Sequence, residues 1–137
     1  MNKAAHKELT KNQGLVFGAL TSAEGPLTAY AILDQLRDDG FRAPLQVYRA
    51  LEKLLEVGLV HRLESLNAFV ACSHPGCSSH HAVAFAICET CGHVSEFAPN
   101  AALADLSSWA EKAKFRPSKT TIELRGTCAN CSTQSAN

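Results

Sequence analysis

Residues 44–71 read PLQVYRALEKLLEVGLVHRLESLNAFVA, and the spacing of their apolar side chains changes partway through. Behind Pro44, which suits a first helical turn, Val47, Leu51, Leu54 and Leu55 recur at helical spacing until Gly58 closes the run. From Leu59 the pattern is that of short strands: Leu59, Val60 and Leu63, a turn at Glu64-Ser65-Leu66-Asn67, then Ala68 to Ala71. A helix running into a β-hairpin is predicted. Upstream, Thr28 opens a helix with Ala29, Ile32, Leu33 and Leu36 on one face, stopping at Gly40. Before that, Thr10 and Gln13 make a capping box for a helix from Lys11 that carries Leu15, Val16, Ala19 and Leu20 and ends at Glu24-Gly25-Pro26.

Three helices and a hairpin are the winged helix-turn-helix arrangement, in which the third helix enters the DNA major groove. A small helical module that binds protein is the alternative. The third helix presents Gln46, Tyr48, Arg49, Lys53 and Glu56 on its polar side, with Arg42 just before it. Arg reads guanine and Gln reads adenine through paired hydrogen bonds, whereas Tyr and Lys mostly hold phosphates. A plain solvated helix face would look the same.

The whole chain has 137 residues, 46% hydrophobic and 19% charged, enough for one domain or two small ones and too few for a large multidomain enzyme. Thirteen basic and thirteen acidic residues cancel, and residues 1–62 hold eight against seven, so any positive surface must be local. The start, Met1 to Glu8, lacks the apolar core of a signal peptide, and no run approaches membrane-span length, so a cytoplasmic protein without a membrane partner is expected.

All six cysteines fall in the second half. Cys88-Glu89-Thr90-Cys91 and Cys128-Ala129-Asn130-Cys131 are two C-x-x-C pairs with 36 residues between them. In a reducing compartment such pairs point to metal rather than disulfides, and four thiolates complete a closed, structural zinc site. A redox C-x-x-C would leave one pair idle. Around the pairs, Val83–Ile87 and His93–Phe97 read as strands, Pro99 opens a helix with Leu103, Leu106, Trp109, Ala110 and Ala113, and Thr120–Leu124 returns as a strand. So small a unit, with an available sheet edge and an apolar helix, is expected to pair with a second copy, which would also double the winged helix for a palindromic site.

His61 and Cys72 stand at the two ends of the hairpin, whose strands bring them together. His81, before the next strand, and Glu96, after the first knuckle, are the residues that could join them in a mixed N/S/O zinc site. The plain alternatives are a surface His61, a buried apolar Cys72 and a solvated Glu96.

At these residues the sequence resembles the ferric uptake regulator superfamily, most closely its zinc uptake branch. The likeness rests on Leu9-Thr10 with Gln13, Thr28 to Leu33, Val47-Tyr48-Arg49-Ala50-Leu51, Gly58-Leu59-Val60-His61, the hairpin ending at Cys72, Cys88-x-x-Cys91-Gly92 with Glu96, and Cys128-x-x-Cys131. It implies a homodimeric, zinc-responsive repressor that binds palindromic double-stranded operators of zinc-uptake genes, with two Zn²⁺ per protomer. Cys88, Cys91, Cys128 and Cys131 match the structural site; His61, Cys72, His81 and Glu96 match the regulatory site; Tyr30 and Arg49 match positions that touch bases. Iron-sensing relatives carry a His-rich run with an Asp before the first C-x-x-C, where this chain has Ala82-Val83-Ala84-Phe85-Ala86-Ile87. Gln46 stands where the family commonly has Thr. The linker also holds His74, Cys77 and His80, so His80 is the alternative to His81, and His74 with Cys77 a candidate further site.

The expected fold is therefore α+β: a winged-helix domain over residues 1–72, a hinge over 73–81, a zinc-containing dimerisation domain over 82–131 and a disordered tail over 132–137. No catalytic residue or small-molecule substrate is expected. His-Glu-x-x-His does not occur, and the one His-x-Glu, His6-Lys7-Glu8, lies far from either C-x-x-C. The competing functions are a regulator of the same family sensing iron or another metal, and a zinc-ribbon module that binds no DNA.

Overall fold

The structure, a computed structural model, describes residues 9–72, 84–118 and 120–135. The chain divides into two compact units, Met1–His80 and His81–Asn137.

The first unit starts as its capping signals dictate. Gln13 N–H donates to the Thr10 hydroxyl (3.2 Å) while Thr10 N–H donates to Gln13 Oε1 (3.0 Å), and helix α1 runs Lys11–Ser22. Helix α2 spans Ala29–Gln35, with Thr28 as N-cap. It stops short of Gly40: a 3₁₀ turn at Arg37–Asp39 tightens the end, and Gly40 takes the left-handed conformation at φ 101°. Helix α3 spans Pro44–Glu56, followed by strands β1 (Val60–Leu63) and β2 (Ala68–Ala71), paired antiparallel with Arg62 opposite Phe69. Leu27 adds a short bridge to Phe69, with hydrogen bonds of 3.0 and 2.8 Å, giving the hairpin a third, minimal strand.

Val16, Ile32, Phe41, Val47, Leu51, Leu54 and Val60 are almost fully buried in one core, with Phe69 closing it from the hairpin. Full burial of such side chains stabilises by roughly 1.5–3 kcal/mol each. This core fixes which side of α3 is left outside.

In the second unit, β3 (Ala84–Cys88) lies between antiparallel β4 (Val94–Phe97) and parallel β5 (Ile122–Gly126). Helix α4 (Asn100–Lys112) makes the crossover from β4 to β5. Of its side chains only Ala110 is buried, and Leu106, Trp109, Phe115 and the β5 residue Leu124 stay about half or more exposed. Helix α5 (Ala129–Ser135) follows, and its last four residues, from Ser132, fall in the stretch expected to be a disordered tail. Its start is tied down by Ser132 N–H donating to Cys128 O (2.7 Å), an order the polar sequence does not announce. Among the described residues, no helix is long and apolar enough to cross a membrane.

Candidate functional site

The parallel pairing of β3 with β5 sets Cys88 level with Gly126, so the chain leaves both strands at one end of the sheet. Each exit carries a C-x-x-C. After Cys88 the backbone folds back through Gly92, whose N–H donates to Cys88 O (2.9 Å) and whose φ of 80° is open to glycine without strain. After Gly126, Cys128 immediately precedes α5 and Cys131 lies in its first turn. The four sulfurs lie within 4.8 Å of one another, and all four cysteines are free thiols. Cys91 Sγ and Cys128 Sγ are 3.8 Å apart. A tetrahedron with Zn–S near 2.3 Å has sulfur–sulfur edges of about 3.8 Å, so the donor set fits zinc in kind, number and spacing.

The backbone polarises this cluster unevenly. The N–H groups of Cys91 (3.4 Å) and Cys128 (3.3 Å) both donate to Cys88 Sγ, and these bonds, Cys91's foremost, lower the Cys88 thiol to about 5. Cys131 is pushed up to about 12, first by its side-chain hydrogen bond with Cys128 and then by burial. One sulfur is thus a ready thiolate at neutral pH, and another must give up a proton to bind metal.

The hairpin brings together the pair expected of it. His61 lies on β1 opposite Val70, and Cys72, just past β2, donates its N–H to Leu59 O at 2.9 Å. The Cys72 sulfur and a His61 ring nitrogen come within 4.8 Å, both residues being half-buried. Glu96 sits half-buried on β4 opposite Phe85 in the second unit. His81, its alternative His80, and the pair His74 and Cys77 lie outside the described residues.

On α3 the burial of Val47, Ala50, Leu51 and Leu54 turns Tyr48, Arg49 and Lys53 to solvent, and Tyr30 on α2 is 64% exposed. Arg42, before α3, is also exposed. Gln46 is occupied differently from the sequence reading: its Oε1 accepts the N–H groups of Arg42 (2.7 Å) and Ala43 (3.1 Å), capping α3 from within. The signal was present in the sequence, since Pro44 at the first helical position puts Gln46 at the third, where Glu and Gln reach back to cap.

A winged helix-turn-helix joined in one chain to a four-thiolate metal centre defines the class of metal-dependent DNA-binding regulators. The ferric uptake regulator family matches residues 9–125, and the chain belongs to that family. It is 37% identical over 124 residues to the zinc uptake regulation protein of Escherichia coli K12, covering 90% of this chain and 72% of that one. Among solved structures it is similar to holo XcZur (37% identity, 96% of both chains, TM-score 0.86). It is also similar to a zinc uptake regulator complexed with zinc and DNA (33% identity, 98% of this chain and 90% of that one, TM-score 0.88).

Proposed function

We propose that this protein is a zinc-responsive transcriptional repressor in the cytoplasm, which binds palindromic operators of zinc-uptake genes as a zinc-loaded homodimer. The observation that carries the reading is the likeness along 98% of the chain to a regulator solved with both zinc and DNA. In this reading each protomer holds two zinc ions. Cys88, Cys91, Cys128 and Cys131 hold the first; with no coordination position left open, it supplies folding energy rather than chemistry.

The second belongs to His61, Cys72, His81 and Glu96, a set whose thiolate favours zinc over the oxygen-rich sites iron prefers. His61 and Cys72 come from the first unit, Glu96 and His81 from the second, so a zinc ion held by all four limits the angles the two winged helices sample. Binding Zn²⁺ while releasing the Cys72 proton also adds about one positive charge per protomer, useful to a chain whose composition is neutral. Tyr30, Arg42, Gln46, Tyr48, Arg49 and Lys53 then meet the duplex, Gln46 through the amide NH₂ its capping role leaves over. No step of this reading is enzymatic.

Elemental analysis of the reduced protein, before and after dialysis against a mild chelator, tests it together with DNA capture at each stage. Two zinc ions falling to one, with loss of DNA binding, is the expected result. A single zinc that never moves, with DNA binding indifferent to the chelator, refutes the sensor. Cys72→Ser is expected to remain a folded dimer with one zinc and to lose zinc-dependent DNA binding; retained dependence removes Cys72 from the switch.

A further inference from the structure

Resting on the DNA-binding reading, we infer that Arg62 of the hairpin is a DNA-backbone clamp, taking a phosphate at the mouth of the cleft between the hairpin and helix α3. Arg62 shares the face of Val60 on β1 and stands directly opposite Phe69, yet unlike Val60 its side chain is 43% exposed. Two neighbours hold it there. Asn67, in the left-handed conformation at φ 49°, accepts from Arg62 Nη2 through Oδ1 at 2.8 Å, and Glu64 Oε1 lies 3.8 Å from Nη1. A guanidinium has five N–H donors in a rigid fork, so these contacts orient it without exhausting it.

The cleft measures about 370 Å³ and is lined by Tyr48 and Glu52 of α3, over a floor of Leu51, Leu55 and Phe69, with Arg62 and Asn67 on the facing side. Tyr48 is already among the residues turned to the duplex. Arg62 therefore stands across the cleft from the reading helix. Composition narrows the choice further: between Leu59 and Cys72 the chain has no other Lys or Arg, whereas the turn adds the carboxylate of Glu64. If the hairpin releases counterions from DNA, it does so through Arg62. The contact is with the backbone, so it sets affinity and register and carries no base preference.

The test uses the full-length, zinc-loaded dimer and a duplex that it selects from a random pool. Its affinity is measured from about 50 to 200 mM salt, and the slope of log K against log salt is compared with that of Arg62→Ala and Arg62→Gln. One phosphate per protomer accounts for a slope of about 0.9, so the dimer variant loses about 1.8, and its deficit shrinks about twelvefold across that range. Preference among single-base variants of the duplex stays that of the wild type. Asn67→Gly keeps the left-handed turn but frees the guanidinium; it is expected to bind a few-fold more weakly with the wild-type slope. An unchanged slope in both Arg62 variants, with unchanged melting, overturns the clamp and leaves the DNA reading standing. A wild-type protein that captures no duplex with zinc overturns both.

Discussion

Cys88 and Cys131 meet the same metal from opposite starting points, one thiol lowered to about 5 by donated N–H groups and the other raised to about 12. Zinc binding at four cysteines can release as many as four protons. Because Cys88 enters as thiolate, titrating zinc into the metal-free protein at pH 7 should release fewer than four per ion, as calorimetry in two buffers of different ionisation enthalpy would reveal. A full four would mean that Cys88 is an ordinary thiol in the metal-free protein, its N–H donors being held in place only by the metal. Replacing one ligand has a larger effect: Cys128→Ser should lower zinc content by one per chain and abolish cooperative melting of the second unit, leaving the first intact. A variant with normal melting would make the centre dispensable to folding. The spacing of the cysteines alone made this site legible, because two C-x-x-C pairs have few other uses in a reducing compartment. Gln46 drew attention as a base-reading residue type, although its place at the third helical position behind Pro44 is the one from which Gln caps a helix.

Where a capping residue stands at a boundary, the elements followed from the sequence. Thr10, Thr28 and Pro44 each mark a helix start within a residue, and the turn at Glu64–Asn67 joins two strands as expected. The misses share a cause. The 3₁₀ turn at Arg37–Asp39 and helix α5 carry no apolar period of their own; the first is a tightening of α2's end, the second is anchored through its cysteines. Helix α1 also carries a removable weakness. Gly14 and Gly18 lie inside it, and a Cβ added at either would meet no atom within 4 Å. Gly18→Ala should therefore raise the stability of the first unit by about 0.5–1 kcal/mol, as should Gly14→Ala, measurable by urea unfolding. A loss of stability would show that α1 needs those positions bare for packing against something beyond the protomer.

For the molecule as a whole, Tyr30, Leu45, Tyr48 and Leu66 are the large apolar side chains exposed on the first unit, while the second exposes Trp109 and Phe115, whose ring centroids stand 6.0 Å apart, with Leu106, Phe97 and Leu124. Scattered exposed apolar residues are common, but Trp and Phe are the types that dominate the energetics of protein interfaces. On the proposed reading this is the surface expected to meet a second copy. Trp109→Glu should shift sedimentation from dimer towards monomer and weaken operator binding at least tenfold, while zinc at the four-cysteine centre stays bound. A variant that sediments as dimer would move the interface elsewhere. The small core predicted for this unit is what leaves those side chains outside, a consequence of chain length that composition foretold without saying which residues it would be.

The parallel pairing of β3 with β5 also orders events in time. A ribosome makes Cys88 and Cys91 first and Cys128 and Cys131 about 40 residues later, a gap of roughly 2–8 s at ordinary elongation rates. Until then the nascent second unit has half a metal centre and a central strand lacking one neighbour, while the winged helix upstream already has its whole core. The reading head is therefore finished before the part that pairs it, and a transcript cut short after the first knuckle would yield a DNA-binding fold with no means of forming the metal-bound dimer.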